Sequence, residues 1–228
     1  MAAPDDKILQ LIQKRFPLNC QATDNAEKTF VSLKSWLTSF AENINSKFQP
    51  SNKRYRVKFY DTGNNMCELQ LGEDTLWFHL HPNLFRITPT NPAYRFSYLR
   101  DDEYRSQCAI INIYNFLSDS LAEKRNDDYG ILIARIFINH ENHFMVEGKR
   151  QIGMLYNDIT QDIIDADKMS NLLEQIIVFC IEHDLFAQPF DQVPAMSYRE
   201  ISSGSFGSNI SGSKQLGFRL SAEDDTKG

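Results

Sequence analysis

The stretch from Arg54 to Ile87 constrains the fold more than any other part of the chain. Apolar and polar residues alternate there in three consecutive runs, with turn residues between them. The first run sets Tyr55, Val57 and Phe59 against Arg54, Arg56, Lys58 and Tyr60. The second sets Cys67, Leu69 and Leu71 against Met66, Glu68 and Gln70. The third sets Leu76, Phe78 and Leu80 against Trp77, His79 and His81. A period of two is the mark of a half-buried strand, because successive side chains point to opposite faces. The spacing predicts an antiparallel meander with one apolar and one polar face. Its turns fall at Asp61-Thr-Gly-Asn-Asn and Gly72-Glu-Asp, and Leu84, Phe85 and Ile87 can add a fourth, edge strand.

Helical patterns flank the meander. Ile8, Leu9, Leu11, Ile12 and Phe16 predict a short amphipathic helix over 5–16, stopped by Pro17. Asp24 with Glu27 reads as a capping box for a longer helix. Its stripe is Ala26, Phe30, Leu33, Leu37, Phe40, Ile44 and Phe48, and Pro50 ends it. After a loop over 88–100, Ile110, Ile113, Tyr114, Leu117 and Leu121 fit a second helix over 103–124. Residues 129–138 are apolar on both faces, which suits a strand covered on both sides. Asn139-His-Glu-Asn142 then reads as a hairpin loop, with a returning strand over 144–152. A third helix over 166–185 is apolar almost all round, as a deeply buried helix or an oligomer interface would be.

The expected fold class is therefore α+β. A β-meander and a later hairpin form an antiparallel sheet packed against about three helices, in the order α-βββ(β)-α-ββ-α. Residues 1–190 read as one domain, with 1–20 as a helical appendage. Residues 191–228 read as a flexible Ser/Gly-rich tail carrying an alternating apolar motif at 214–220, namely Leu216, Phe218 and Leu220. This order, in an acidic chain, resembles the type III secretion chaperone fold over roughly residues 25–185. The resemblance implies a small α+β protein that dimerises and binds partner segments.

Composition narrows the function classes. The net charge of −6 argues against a general nucleic-acid binder. No run of about 18 apolar residues suggests a membrane span, and the first residues lack the positive n-region of a signal peptide. The four cysteines are scattered with no C-x-x-C spacing, so free thiols in the cytoplasm are expected. No P-loop, G-x-G-x-x-G or G-x-S-x-G is present.

Four constellations on the chain carry chemistry. His79 and His81, two apart on one strand, project about 7 Å apart on the same side, with Glu68 on the neighbouring strand as a possible third metal ligand. His140-Glu-Asn-His143 has its histidines three apart, not the four of H-E-x-x-H, and falls in a turn. Asp61 with Glu68-Leu-Gln70 is similar to the acidic pair of restriction-endonuclease-like nucleases, but with glutamine where that pattern has lysine; Glu147-Gly-Lys149 has no evident acidic partner. Arg54, Arg56 and Lys58 on one strand face, with Trp77 nearby, would suit single-stranded nucleic acid, or simply protect an edge strand.

The leading expectation is a non-enzymatic adaptor or chaperone-like module, without cofactor or metal. It would be homo-oligomeric and bind a protein partner through Arg54, Arg56, Lys58, Glu68, Trp77, His79 and His81 or through Leu216, Phe218 and Leu220, the tail acting by β-strand addition. The competing expectations are a metal-dependent hydrolase or nuclease using His79, His81 and Glu68, and a single-stranded nucleic-acid binder.

Overall fold

The computed structural model describes residues 4–125 and 128–182. The Ser/Gly-rich segment, with Leu216, Phe218 and Leu220, lies outside the described residues. Among the described residues, no helix is long and apolar enough to cross a membrane.

The protein is α+β, built on one antiparallel sheet. In chain order the elements are α1 (Pro4–Lys47), β1 (Lys58–Gly63), β2 (Met66–Leu71), β3 (Asp74–Leu80), β4 (Phe85–Arg86), α2 (Ser97–Asp101), β5 (Gln107–Leu117), α3 (Ser118–Ala122), β6 (Ile131–Asn139), β7 (Phe144–Gly148) and α4 (Ala166–Ile181). The sheet runs β1-β2-β3-β5-β6-β7, and β4 pairs with the start of β5 beyond the end of β3. β2 and β3 follow the alternation in the sequence, whereas β1 takes only Lys58–Tyr60 of the first run and continues through Asp61–Gly63, which read as turn. Gly72, at φ +65°, opens the tight β2–β3 turn, a backbone conformation that favours glycine.

One face of the sheet is sealed by α1 and α4. Cys67, Leu69, Leu76, Phe78, Ile111, Ile113 and Ile136 pack there against Ala26, Phe30, Leu33 and Leu37 of α1 and Leu172, Leu173, Ile176 and Ile177 of α4. Each fully buried Leu, Ile or Phe contributes about 1.5–3 kcal/mol through removal from water. Asn25 marks where α1 meets the sheet rim: its amide donates to the carbonyls of Asn139 and His140, both at 3.1 Å. A smaller cluster forms on the opposite face, where Ile87, Ala93 and Leu99 cover Ile110, Phe137 and Met145.

Several expectations are corrected. Residues 107–117 form a strand, not the centre of a helix over 103–124. Their apolar residues fit both periods, since β5 is covered on both faces over Gln107–Ile111 and pairs with β3 on one side and β6 on the other. Three isoleucines in four residues (Ile110, Ile111, Ile113) favour the strand. The first two helices are one: α1 runs through Pro17, and Asp24 is inside it rather than at a cap. Proline removes the bond to Gln13 and costs about 3 kcal/mol in a helix interior. Both residues are exposed, so the freed carbonyl is open to solvent. The returning strand ends at Gly148, where the chain enters a 3-10 turn over Arg150–Met154. α4 is present as expected, and its broad apolar surface is explained by burial: only Val178 and Ile181 among its large apolar side chains are exposed.

Candidate functional site

The open half of the sheet, on the face away from α1 and α4, gathers Lys58, Glu68, Gln70, Trp77, His79 and His81 of the residues singled out in the sequence. Antiparallel register decides which ones. Glu68 stands opposite Trp77, and Trp77 opposite Tyr114 on β5; Met66 stands opposite His79, and His79 opposite Asn112. Residues directly opposite share a face. Glu68, Trp77, His79 and Tyr114 therefore lie together, with Tyr60, paired to Glu68 from β1, beside them.

Rings form a continuous string across this surface. Trp77 stacks on His79 at 5.2 Å and lies 6.0 Å from Tyr114 and 6.4 Å from Phe116, edge-on to the latter. His79 meets His81 at 5.8 Å, and His81 meets Phe85 at 4.6 Å. These separations are those of favourable aromatic pairs. Trp77, His79, Tyr114 and Phe116 are half-buried, while Phe85 and Tyr60 are exposed. At the rim, Lys58 donates to Gln70 at 3.3 Å and the Tyr60 hydroxyl reaches the same oxygen at 3.4 Å. Burial raises the Glu68 carboxyl above its ordinary value. Burial, and then the neighbouring His81, lower His79 below its ordinary value. The surface thus favours uncharged forms of both groups.

The metal reading loses its geometry. Among the described residues no three His, Cys, Asp or Glu side chains come together as a metal site needs. Trp77, not His79, faces Glu68, and the His81 ring is engaged otherwise: its Nδ1 accepts from the Asn83 amide at 3.0 Å. The nuclease-like pair is also separated. Asp61 is in register with Cys67, on the helix side, and is bound by Lys34 at 2.6 Å, which with the Gly63 amide lowers its carboxyl. Glu68 points to the other face. Glu147 is taken by Arg135 and by Asn91 at 2.8 Å.

The basic run does not share one strand face. Residues 53–55 form a 3-10 turn capped by the Asn52 side chain, so β1 begins only at Lys58. Arg54 turns instead to Asp119 at 2.9 Å, with Glu73 at 3.9 Å. Arg56 is exposed beyond the strand, and Lys58 alone of the three stands on the sheet.

Histidines 140 and 143 belong to a different structure, a polar staple that the sequence did not announce. Asn139 is fully buried at the β6–β7 turn. Its amide donates to the Tyr98 hydroxyl at 2.9 Å and the Arg105 carbonyl at 3.2 Å, and its oxygen accepts from the Glu141 and His143 amides, both at 3.0 Å. Tyr98 stacks on His143 at 4.8 Å. Burial pushes the Glu141 carboxyl up, but Tyr98 and Arg105 outweigh it and hold the group below its usual value. This network fastens residues 97–106 over one half of the outer face and leaves the Trp77 half open. Tyr114 and Phe116 were missed as site residues because their segment read as helix; the staple was missed because Asn139 meets Tyr98 and Arg105 across more than 30 residues of sequence.

No known protein family, curated protein or solved structure matches the chain. The likeness to the type III secretion chaperone fold rests on element order and acidity, and that order changes with β5.

Proposed function

We propose that this protein is a non-enzymatic, adaptor-like or chaperone-like module that binds a protein segment on the open half of its sheet. The observation that carries the reading is the ring string from Phe116 through Tyr114, Trp77 and His79 to Phe85, half-exposed and rimmed by Lys58, Gln70 and Tyr60. Recognition surfaces put aromatic side chains at their centre and polar groups around them, and tryptophan and tyrosine supply much of the binding energy. A raised Glu68 and a lowered His79 fit a surface suited to apolar or aromatic side chains. Nucleic acid is less well supported, because Arg54 is committed to Asp119 and a carboxylate stands in the middle of the face.

The test is selection from an unbiased peptide library, followed by affinity measurement on the unsubstituted chain and on Trp77→Ala. The reading expects apolar, aromatic-containing binders that lose at least tenfold, about 1.4 kcal/mol, on Trp77→Ala, with the thermal melt little changed. A library that yields no binder, or binders indifferent to Trp77, contradicts it. Oligonucleotide binding that weakens with salt and with Arg56→Ala would favour a nucleic-acid role instead.

A further inference from the structure

α1 is longer than the sheet it covers. At 44 residues it spans about 66 Å, and only its C-terminal part has a sheet beneath it. Asn25 crosses the rim at Asn139 and His140. Leu18 and Asn19 are half-buried, and the Lys14 ammonium sits 4.9 Å over the Tyr104 ring. Residues N-terminal to that point overhang the body.

The overhang is apolar on one side. Ile8 is 55% exposed, Leu9 52%, Leu11 55%, Ile12 39% and Phe16 56%. Leu9, Ile12 and Phe16 step by three and four residues, as do Ala26, Phe30, Leu33 and Leu37. The ten residues from Phe16 to Ala26 keep both sets in one heptad frame. The frame that seals the core over 26–37 is polar at the rim, at Asn19 and Thr23, and turns apolar again at Leu9, Ile12 and Phe16, with no described residue over them. Such a stripe is a hydrophobic seam awaiting a partner.

The charges indicate which partner. Asp5 and Asp6 stand in the first turn of α1, and Lys14 and Arg15 follow about two and a half turns on. With Lys7 the first turn still carries a net charge of −1 against +2 at Lys14 and Arg15, so the segment, apolar between its ends, is complementary to itself when reversed although Lys7 then comes near Lys14. Antiparallel alignment brings Asp5 and Asp6 of one chain toward Lys14 and Arg15 of the other, and it also pairs opposed helix dipoles. Parallel alignment would set the two acidic turns side by side. Closed two-fold pairing of one surface with itself is the commonest way soluble chains associate.

From this we infer that residues 5–16 of α1 pair antiparallel with the same segment of a second copy of the chain, making a two-fold dimer whose sheet faces stay free. The inference does not rest on the peptide-binding reading. The test uses the full chain in sedimentation equilibrium. The expected result is the mass of two chains at micromolar concentration, and at least a tenfold weaker association for the double substitution Leu9→Asp, Ile12→Asp. Both positions are exposed, so circular dichroism should be unchanged and will show whether the variant is folded. A single-chain mass up to 100 µM, or a dimer indifferent to the double substitution, overturns the inference. Direction is read by disulfide trapping in a Cys20→Ser background. Asp6→Cys chains should cross-link to Arg15→Cys chains and not to one another; the reverse pattern overturns the antiparallel arrangement.

Discussion

Glu68 is flanked by Tyr60 and Trp77 on neighbouring strands, and the loss of water there raises its carboxyl pKa. Its folded state holds a proton more tightly than the unfolded chain. No penalty exists below the ordinary value of 4.5, and stability is lost as pH rises from there through the raised value. Glu68→Gln should stabilise the chain at pH 7 by up to about 0.5 kcal/mol and change nothing near pH 4, as read by denaturant titration at both pH values. His79 works in the opposite sense. Its lowered pKa means that stability falls as pH drops below about 6.5, where the unfolded imidazole takes a proton first. Asn139 has the larger structural stake. Its side chain satisfies four partners while fully buried, so Asn139→Ala strands donors and acceptors and should cost about 3 kcal/mol by chemical denaturation.

At the scale of elements, the meander was legible and β5 was not. β2 and β3 bury one face, so their alternation is written in residue type, whereas β1 is mostly exposed. β5 is buried on both faces over Gln107–Ile111, which removes the alternation there and leaves isoleucines at spacings a helix would also accept. Only the density of β-branched residues distinguishes the two. The same misreading hid Tyr114 and Phe116, whereas Trp77 and His79 were found because their strand alternates. Hydrogen exchange checks the reassignment. Amides of residues 109–115, bonded between β3 and β6, should be among the slowest in the chain, and those of β1 should exchange faster because, among the described residues, one of its edges has no strand beside it. The other edge of the sheet is closed by its own chain, with the β7 amides of Phe144 and Val146 donating to Asp162 and Tyr156. The continuity of α1 was equally hard to read, because a proline costs least on an exposed overhang, where its unpaired carbonyl meets water.

The whole molecule is asymmetric about its sheet. One face is sealed by two helices, and the other is divided between a stapled half and an open half. That division leaves one half of the outer face open while the main core lies behind the sheet. The chain's two tryptophans fall on opposite sides of this divide, which makes them natural reporters. Trp77 lies in the ring string, while the Trp36 indole donates to Ser170 at 2.9 Å between α1 and α4. The decisive measurement follows their two indole N–H resonances during titration with a selected peptide. If the open half is the binding surface, the Trp77 resonance shifts at the affinity measured for the peptide and the Trp36 resonance stays in place. A titration that moves Trp36 and leaves Trp77 untouched contradicts the account.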